Sequence, residues 1–222
     1  MPVLTNLMTV NTSLNSPDDV GNVRKKNVAI ILDAAKKEFV TFGFKGASIK
    51  RIAERAHIPR ANIHYYFANK DELYKVVLTD IVTTWNKNFD SFTDCDDPKV
   101  ALSSYIRSKV KYSMEDPEGS RIFASEIIHG ADALESYLSS DFTLWLEQKV
   151  KVIKTWIKNG LMDDINPYHL LFLIWGATQH YADFNVQVVA ALNVEQLNEE
   201  HFESIVQSIT HIVLKGCGIS SN

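Results

Sequence analysis

The chain has 222 residues, 45% of them hydrophobic, with a formal net charge of −4. That suits one large or two small globular domains with a real core. The opening MPVLTNLMTVNTSLNSPDD has no basic start and no continuous apolar stretch, and residues 170–177 are too short an apolar run to cross a bilayer, so neither a secretory leader nor a membrane partner is expected. The two cysteines, Cys95 and Cys217, lie far apart with no CxxC spacing; they suggest a reduced, cytoplasmic setting and no metal site. The charge is uneven. Residues 24–75 carry 12 Lys/Arg against 5 Asp/Glu, whereas residues 76–222 carry 11 against 20. A basic segment joined to an acidic body predicts that one end meets a polyanion.

Residues 1–23 are polar with little periodicity and read as a tail of low order. In the stretch that follows, Ile30, Ile31, Ala34, Ala35, Phe39 and Phe42 recur on one side of a helix. Gly43 then stands where a left-handed C-cap would sit. Ser48 is a good N-cap for a short helix, IKRIAERA, with Ile49, Ile52, Ala53 and Ala56 inward. HIP breaks it, and Pro59 suits the start of the next helix, RANIHYYF. Asn69 to Glu72 has the spacing of a capping box that opens a longer helix running past Trp85. Pro98, DPEG at 116–119, HGAD at 129–132, residues 139–141 and INP at 165–167 punctuate further helical stretches. The last stretch carries Phe202, Ile205, Val206, Ile209, Ile212 and Val213 in register and stops at Gly216. No strand pattern competes. The expected fold is all-α, with about nine helices.

Two short helices around a tight turn, preceded by a longer one, form the arrangement of a helix-turn-helix. Its second helix can enter the major groove of double-stranded DNA. Arg60 can fork onto a guanine edge or a phosphate, and Asn62 can pair with an adenine edge. The hydroxyls of Tyr65 and Tyr66 can reach phosphates, and Lys70 with the free amides of its helix offers a phosphate seat. The expected DNA-facing set is Ser48, Arg60, Ala61, Asn62, His64, Tyr65, Tyr66 and Lys70. Singly these are weak signals, since a Tyr-Tyr-Phe run often belongs to a core and a lone histidine to a surface. Together, SIKRIAERAHIPRANIHYYFANKDELY, with Phe42-Gly43 and Gly46 before it, resembles the DNA-binding domain of TetR-type bacterial repressors. One departure is His57, where the family's turn usually begins with glycine. The resemblance implies a homodimer, a helical ligand-binding body, and release of operator DNA when an effector binds. Residues 24–75 are then the DNA-binding domain and 76–222 the effector-binding and dimerisation domain.

The body contains an unusually polar stretch for an apolar helix. Thr178, Gln179, His180 and Asp183 fall within FLIWGATQHYADFNVQVVAAL, although a buried polar group without a partner costs roughly 1–3 kcal/mol. INPYHLLFLIWGATQHYADFNVQV (165–188) is similar to the corresponding helix of pyrimidine-responsive repressors of that family, which answer to uracil or thymine. Trp85 and SRIF with Glu126 extend the match. That resemblance implies that Trp85 and Gln179 line an effector pocket. The chemistry agrees: Phe172, Trp175, Gln179, Ala182 and Val186 share a helical face. A primary amide presents a donor beside an acceptor, complementary to a cyclic imide edge. A ring held on Trp85 or Trp175 and read by Gln179 would be selected for flatness and for that edge. The alternative is a Gln179 that only bonds a neighbouring helix. His180 and Asp183 are expected to be structural or to lie at the dimer seam; a metal site using them with His129 or His169 has no second motif behind it. No organic cofactor motif appears. The residues expected at the dimer seam are Phe184, Val188, Phe202, Ile205, Ile209 and Ile212, on the last two helices (about 167–192 and 199–215). No phosphate loop, nucleophile elbow or HExxH supports an enzyme. A plain helical adaptor would leave the basic helix-turn-helix unexplained, and a TetR-type regulator of an unrelated apolar or aromatic ligand is the nearer alternative.

Overall fold

The computed structural model describes residues 17–89, 92–93 and 95–220, and its regular structure is entirely helical among those residues. The helices are α1 (Pro17–Gly46), α2 (Ile49–Ala56), α3 (Arg60–Tyr66), α4 (Lys70–Phe89), α5 (Pro98–Glu115), α6 (Pro117–Ile128), the single turn α7 (Glu135–Tyr137), α8 (Thr143–Lys158), α9 (Pro167–Asp183), α10 (Asn185–Leu192) and α11 (Glu199–Gly216). Ten of them exceed one turn. Residues 1–16 of the expected tail lie outside the described residues, and α1 begins at Pro17, so 17–23 are helical rather than tail. Among the described residues no helix is long and apolar enough to cross a membrane.

Periodicity placed the N-terminal core correctly apart from its two ends. Ile31, Ala34, Ala35 and Phe39 of α1 pack on Ile52, Ala53 and Ala56 of α2, Ile63 of α3 and Leu73 of α4, whereas Ile30 and Phe42 are exposed. Phe42 is covered instead by the Arg51 guanidinium, 4.4 Å from its ring centroid. At Gly43 the chain adopts φ 64, ψ 172. This kink has the positive φ expected of a glycine cap but an extended ψ, a region that essentially only glycine enters. Ser48 caps α2 by accepting from the Arg51 amide at 3.2 Å. His57 sits in the left-handed conformation at φ 54, ψ 39, which glycine adopts without steric cost. Asn69 accepts from the Glu72 amide, while the Glu72 carboxylate reaches back to the Ala68 amide. This capping box is therefore shifted by one residue on its return bond.

The body is built around α5, which packs against α9 and α11, with α6 between α1 and α9. Residues 139–141 do not break the chain. The segment from Leu138 to Phe142 is a π-helical turn leading straight into α8, and the Thr143 hydroxyl donates to the Leu138 carbonyl at 2.7 Å. The expected helix over 167–192 is two helices. Phe184 leaves helical geometry between them, and the Asn185 side chain donates back to the Tyr181 carbonyl, a local bond that competes with the helical ladder.

The α11 stripe requires a correction. Phe202, Ile205 and Ile209 are buried within the chain itself, as is Val188, whereas Ile212 is 64% exposed and Phe184 54% exposed. A helix between two layers carries apolar residues for both, and periodicity does not say which layer covers them. The exposed apolar residues at this end of the fold are Phe184, Val186, Leu192 and Ile212.

Candidate functional site

The helix-turn-helix is held by a carboxylate that sequence reasoning passed over. Glu38 of α1 is fully buried. Its Oε1 accepts from Arg51 Nε at 2.6 Å and from the Ser48 amide at 3.2 Å, and Arg55 stands 4.0 Å from its Oε2. One acidic side chain thus ties the first helix to the start of the second. Ile63 and Phe67 anchor α3 inward. That leaves Arg60, Ala61, Asn62, His64 and Tyr65 on its exposed side, with Tyr65 77% exposed.

Two of the expected DNA residues are placed otherwise. Tyr66 is half-buried; its hydroxyl accepts from Asn27 of α1 at 3.2 Å, and its ring meets Tyr65 edge-on. Lys70 does not point outward. Its ammonium donates to the carbonyls of Phe44 and Ala47 at 2.8 and 3.1 Å and lies over the Phe44 ring. Carbonyls at a helix C-terminus form the negative end of its dipole, a strong local attraction for an ammonium. Lys70→Ala should therefore cost about 1–3 kcal/mol of stability by leaving those carbonyls without their donor. A urea midpoint equal to that of the unmodified protein would refute this placement.

In the body, α4, α5, α6, the turn before α8, α8 and α9 line a small cavity that is partly open to solvent. Its lining is aromatic. Trp85 of α4 meets Phe123 of α6 at 4.6 Å between centroids. Opposite, Trp175 of α9 meets Phe142 and Trp145 at 5.9 and 6.1 Å. The indole N–H of Trp175 donates to the Tyr105 hydroxyl at 2.7 Å, so this ring is a fixed wall. Tyr137 and Phe142, at the two ends of the π-helical turn, complete that side. Gln179 lines the cavity, as does the ammonium-bearing Lys109 of α5. Of the expected shared face, Trp175 and Gln179 reach the cavity, Phe172 stays half outside against Trp175, and Val186 lies beyond the end of α9 and is exposed.

The remaining polar residues of α9 have separate partners. Thr178 is buried and donates to the Ile174 carbonyl of its own helix at 2.8 Å. His180 stacks on Phe184 at 5.0 Å and lines an outer groove with Val188, Leu192 and Ser208. Asp183 turns inward and accepts from the Ser120 hydroxyl at 2.6 Å; burial raises its carboxyl above the usual range, against the pull of Ser120 and Lys109. Asp183 thus has a structural partner within the subunit, the first of its two expected roles. Among the described residues no group of three His, Cys, Asp or Glu could hold a metal ion.

Two polar links join the cavity region to the helix-turn-helix. Trp85 stands edge-on to Tyr112, whose hydroxyl donates to Asp116 at 2.6 Å, and Asp116 pairs with Lys36 of α1 at 2.5 Å. The close approach of Asp116 to the start of α6 needs Gly119, where a Cβ would lie 2.4 Å from the carboxylate. Farther along α4, the Tyr74 hydroxyl donates to Glu126 at 3.0 Å, and Glu126 also accepts from the Ala133 amide at 2.7 Å. Tyr74 itself packs on Phe39 and Phe44.

This combination of an N-terminal helix-turn-helix and a helical body with an internal cavity defines a class. Residues 31–77 match the family described as bacterial regulatory proteins, tetR family, and residues 78–220 match the YcdC-like protein, C-terminal region. The chain belongs to the TetR family and is a transcriptional regulator of that family. Its relatives include the HTH-type transcriptional regulator RutR of Escherichia coli, 37% identical over 186 residues that cover 84% of this chain and 88% of RutR. The HTH-type transcriptional repressor NicS of Pseudomonas putida is 27% identical over 84% of this chain and 90% of its own. Among solved structures, the ketosteroid transcriptional regulator KstR2 of Mycobacterium tuberculosis superposes with a TM-score of 0.69 at 16% identity, covering 86% of this chain and 94% of that one. AibR in complex with isovaleryl coenzyme A and operator DNA gives a TM-score of 0.65 at 14% identity, covering 84% of this chain and 97% of AibR. At those identities the two structures share the fold.

Proposed function

We propose that this regulator binds operator DNA as a homodimer, acts as a repressor, and releases the DNA when a flat cyclic imide, uracil or thymine, enters the α4–α9 cavity. The observation that carries the reading is the placement of the Gln179 amide in a cavity walled by Trp85, Trp175 and Trp145. Such a cavity holds a planar ring by its faces and reads one donor–acceptor edge. The likeness to RutR supports the same reading. On DNA, residues 24–75 do the binding, with Arg60, Asn62 and Tyr65 on the exposed side of α3 meeting bases and phosphates, and Ser48 near the backbone at the start of α2. Residues 76–222 bind the effector and dimerise.

Ligand and DNA compete through α4. This helix carries Trp85 at the cavity and Tyr74 at the aromatic cluster of the helix-turn-helix, so a ligand that shifts Trp85 also shifts α1–α3. It releases DNA only by binding the DNA-free arrangement more tightly. Mobility shift on promoter DNA, with and without uracil, tests this directly. Gln179→Leu keeps the volume but leaves the ligand's polar edge unpaired, at about 1–3 kcal/mol, or roughly 5- to 150-fold in affinity. The variant should fold and bind DNA yet no longer release it with uracil. Calorimetry showing no heat with uracil or thymine, or equal affinity in Gln179→Leu, would exclude the pyrimidine while leaving the regulator in place.

A further inference from the structure

The first helix is longer than its packing requires. From Val28 onward one side of α1 is covered, with Ile31, Ala34, Ala35 and Glu38 buried. Residues 22–26 are all exposed, although the helix is continuous through them from Pro17. Five consecutive helical residues point in every direction, so nothing among the described residues packs against this turn. The helix thus overhangs its own domain. Asn27, half-buried, fixes where the overhang begins: its Nδ2 donates to the Tyr66 hydroxyl at 3.2 Å. Tyr66 in turn meets Tyr65 edge-on, and Tyr65 stands on the exposed side of α3. The overhang therefore starts beside the C-terminal end of α3.

Its side chains include Arg24, Lys25 and Lys26. At about 100° per residue, Arg24 and Lys26 lie about 60° and 100° to either side of Asn27, while Lys25 lies about 160° away. Two cations thus straddle the side of α1 that faces α3. Lys25 is in line with Leu32 and Lys36, and Lys36 pairs with Asp116 of the body. Among the described residues none of the three is paired with an acid; the nearest acid along the helix, Asp33, is taken by Lys37 at 2.8 Å.

We propose that this overhang is a second DNA-contact surface, in which Arg24 and Lys26 grip backbone phosphates flanking the base pairs met by α3. The proposal rests on the DNA-binding reading above and extends its footprint outward. A duplex seated on α3 carries a dense row of phosphates past the end of that helix, where the overhang stands. The Arg24 guanidinium forks onto one phosphate, and the Lys26 ammonium meets another as a point charge. Contacts of this kind fix position and add affinity without adding base preference. Lys25, turned toward the body, takes no part.

The test is fluorescence anisotropy of the full chain with two labelled duplexes, promoter DNA and a random sequence of equal length, at about 50 to 200 mM salt. Arg24→Gln and Lys26→Gln should each lower the slope of log affinity against log salt by about 0.9 per subunit. Each should weaken binding by roughly 3- to 10-fold per subunit near 150 mM salt, alike for both duplexes. Lys25→Gln removes the same charge from the same turn and should leave the slope unchanged. Arg24→Lys should restore most of the slope lost in Arg24→Gln. All three positions are exposed, and glutamine is about as good a helix former as lysine or arginine, so the variants should fold. Hydroxyl-radical footprinting on the promoter should show the double variant Arg24→Gln/Lys26→Gln losing protection at the outer edges only. Unchanged slopes in Arg24→Gln and Lys26→Gln overturn the phosphate grip and leave the operator-binding reading intact; a surface that serves an acidic protein instead gives this result. A slope lowered as much in Lys25→Gln overturns it too, since net charge would then explain the loss. Absence of binding by the unmodified protein to either duplex overturns both readings.

Discussion

Arg51→Ala should lower the stability of the protein by roughly 3–5 kcal/mol, the usual cost of stripping a buried ion of its partner. The buried ion is Glu38, which is fully enclosed while Arg51 remains partly exposed. With Arg51 gone, the carboxylate keeps the Ser48 amide at 3.2 Å and Arg55 at 4.0 Å, neither of which replaces a 2.6 Å charged contact. The same substitution uncovers Phe42 and removes the bond to the Gly46 carbonyl. For a chain of this size the loss corresponds to a fall of about 6–20 °C in melting temperature. Adding Glu38→Gln to Arg51→Ala should recover much of it, because the amide can still accept from Ser48 without carrying an unpaired charge. Thermal denaturation of the two variants checks both points. A single variant within about 0.5 kcal/mol of the parent would mean that the pair contributes no more than a surface salt bridge.

Phe184→Asp combined with Ile212→Asp should convert the dimer to a monomer and reduce operator affinity by about 100-fold or more, because two linked recognition helices bind far more tightly than one. Both side chains are exposed, so charging them leaves the interior of the subunit alone. Phe184 continues through His180 into the outer groove bounded by α10 and α11. A second copy applied there would cover the exposed apolar residues of this end by two-fold symmetry. Ile209→Asp behaves differently: at 8% exposed, Ile209 belongs to the subunit's own core, and a charge there should unfold the body. Sedimentation separates the two effects. A dimer that persists in the double variant at micromolar concentration would place the subunit interface elsewhere.

The contrast between Ile209 and Ile212 marks the boundary of what residue order reveals. Local signals were legible: the apolar face of α1, the Ser48 cap, the turn before Pro59 and the family motif all follow from spacing between near neighbours. Trp175 and Gln179 were legible for the same reason, being one helical turn apart on one element. Lys109, Tyr105, Phe123 and Phe142 were not, because they come from different helices and meet only after α5, α6 and α9 pack. Lys109 left one trace, a lysine on an otherwise apolar stripe between Tyr105 and Ser113. Lys70 could be read as a cation at a helix start, but its direction was decided by the carbonyls that the Gly43 kink brings to it from α1. Sequence alone determined the all-helical class, the family and the common face of Trp175 and Gln179, since those depend on periodicity, capping and motif. Tertiary structure decided which of two apolar stripes faces inward, which cation enters the cavity, and which carboxylate holds the helix-turn-helix together. Burial and charge pairing are properties of neighbours in space, and those neighbours lie tens of residues away along the chain.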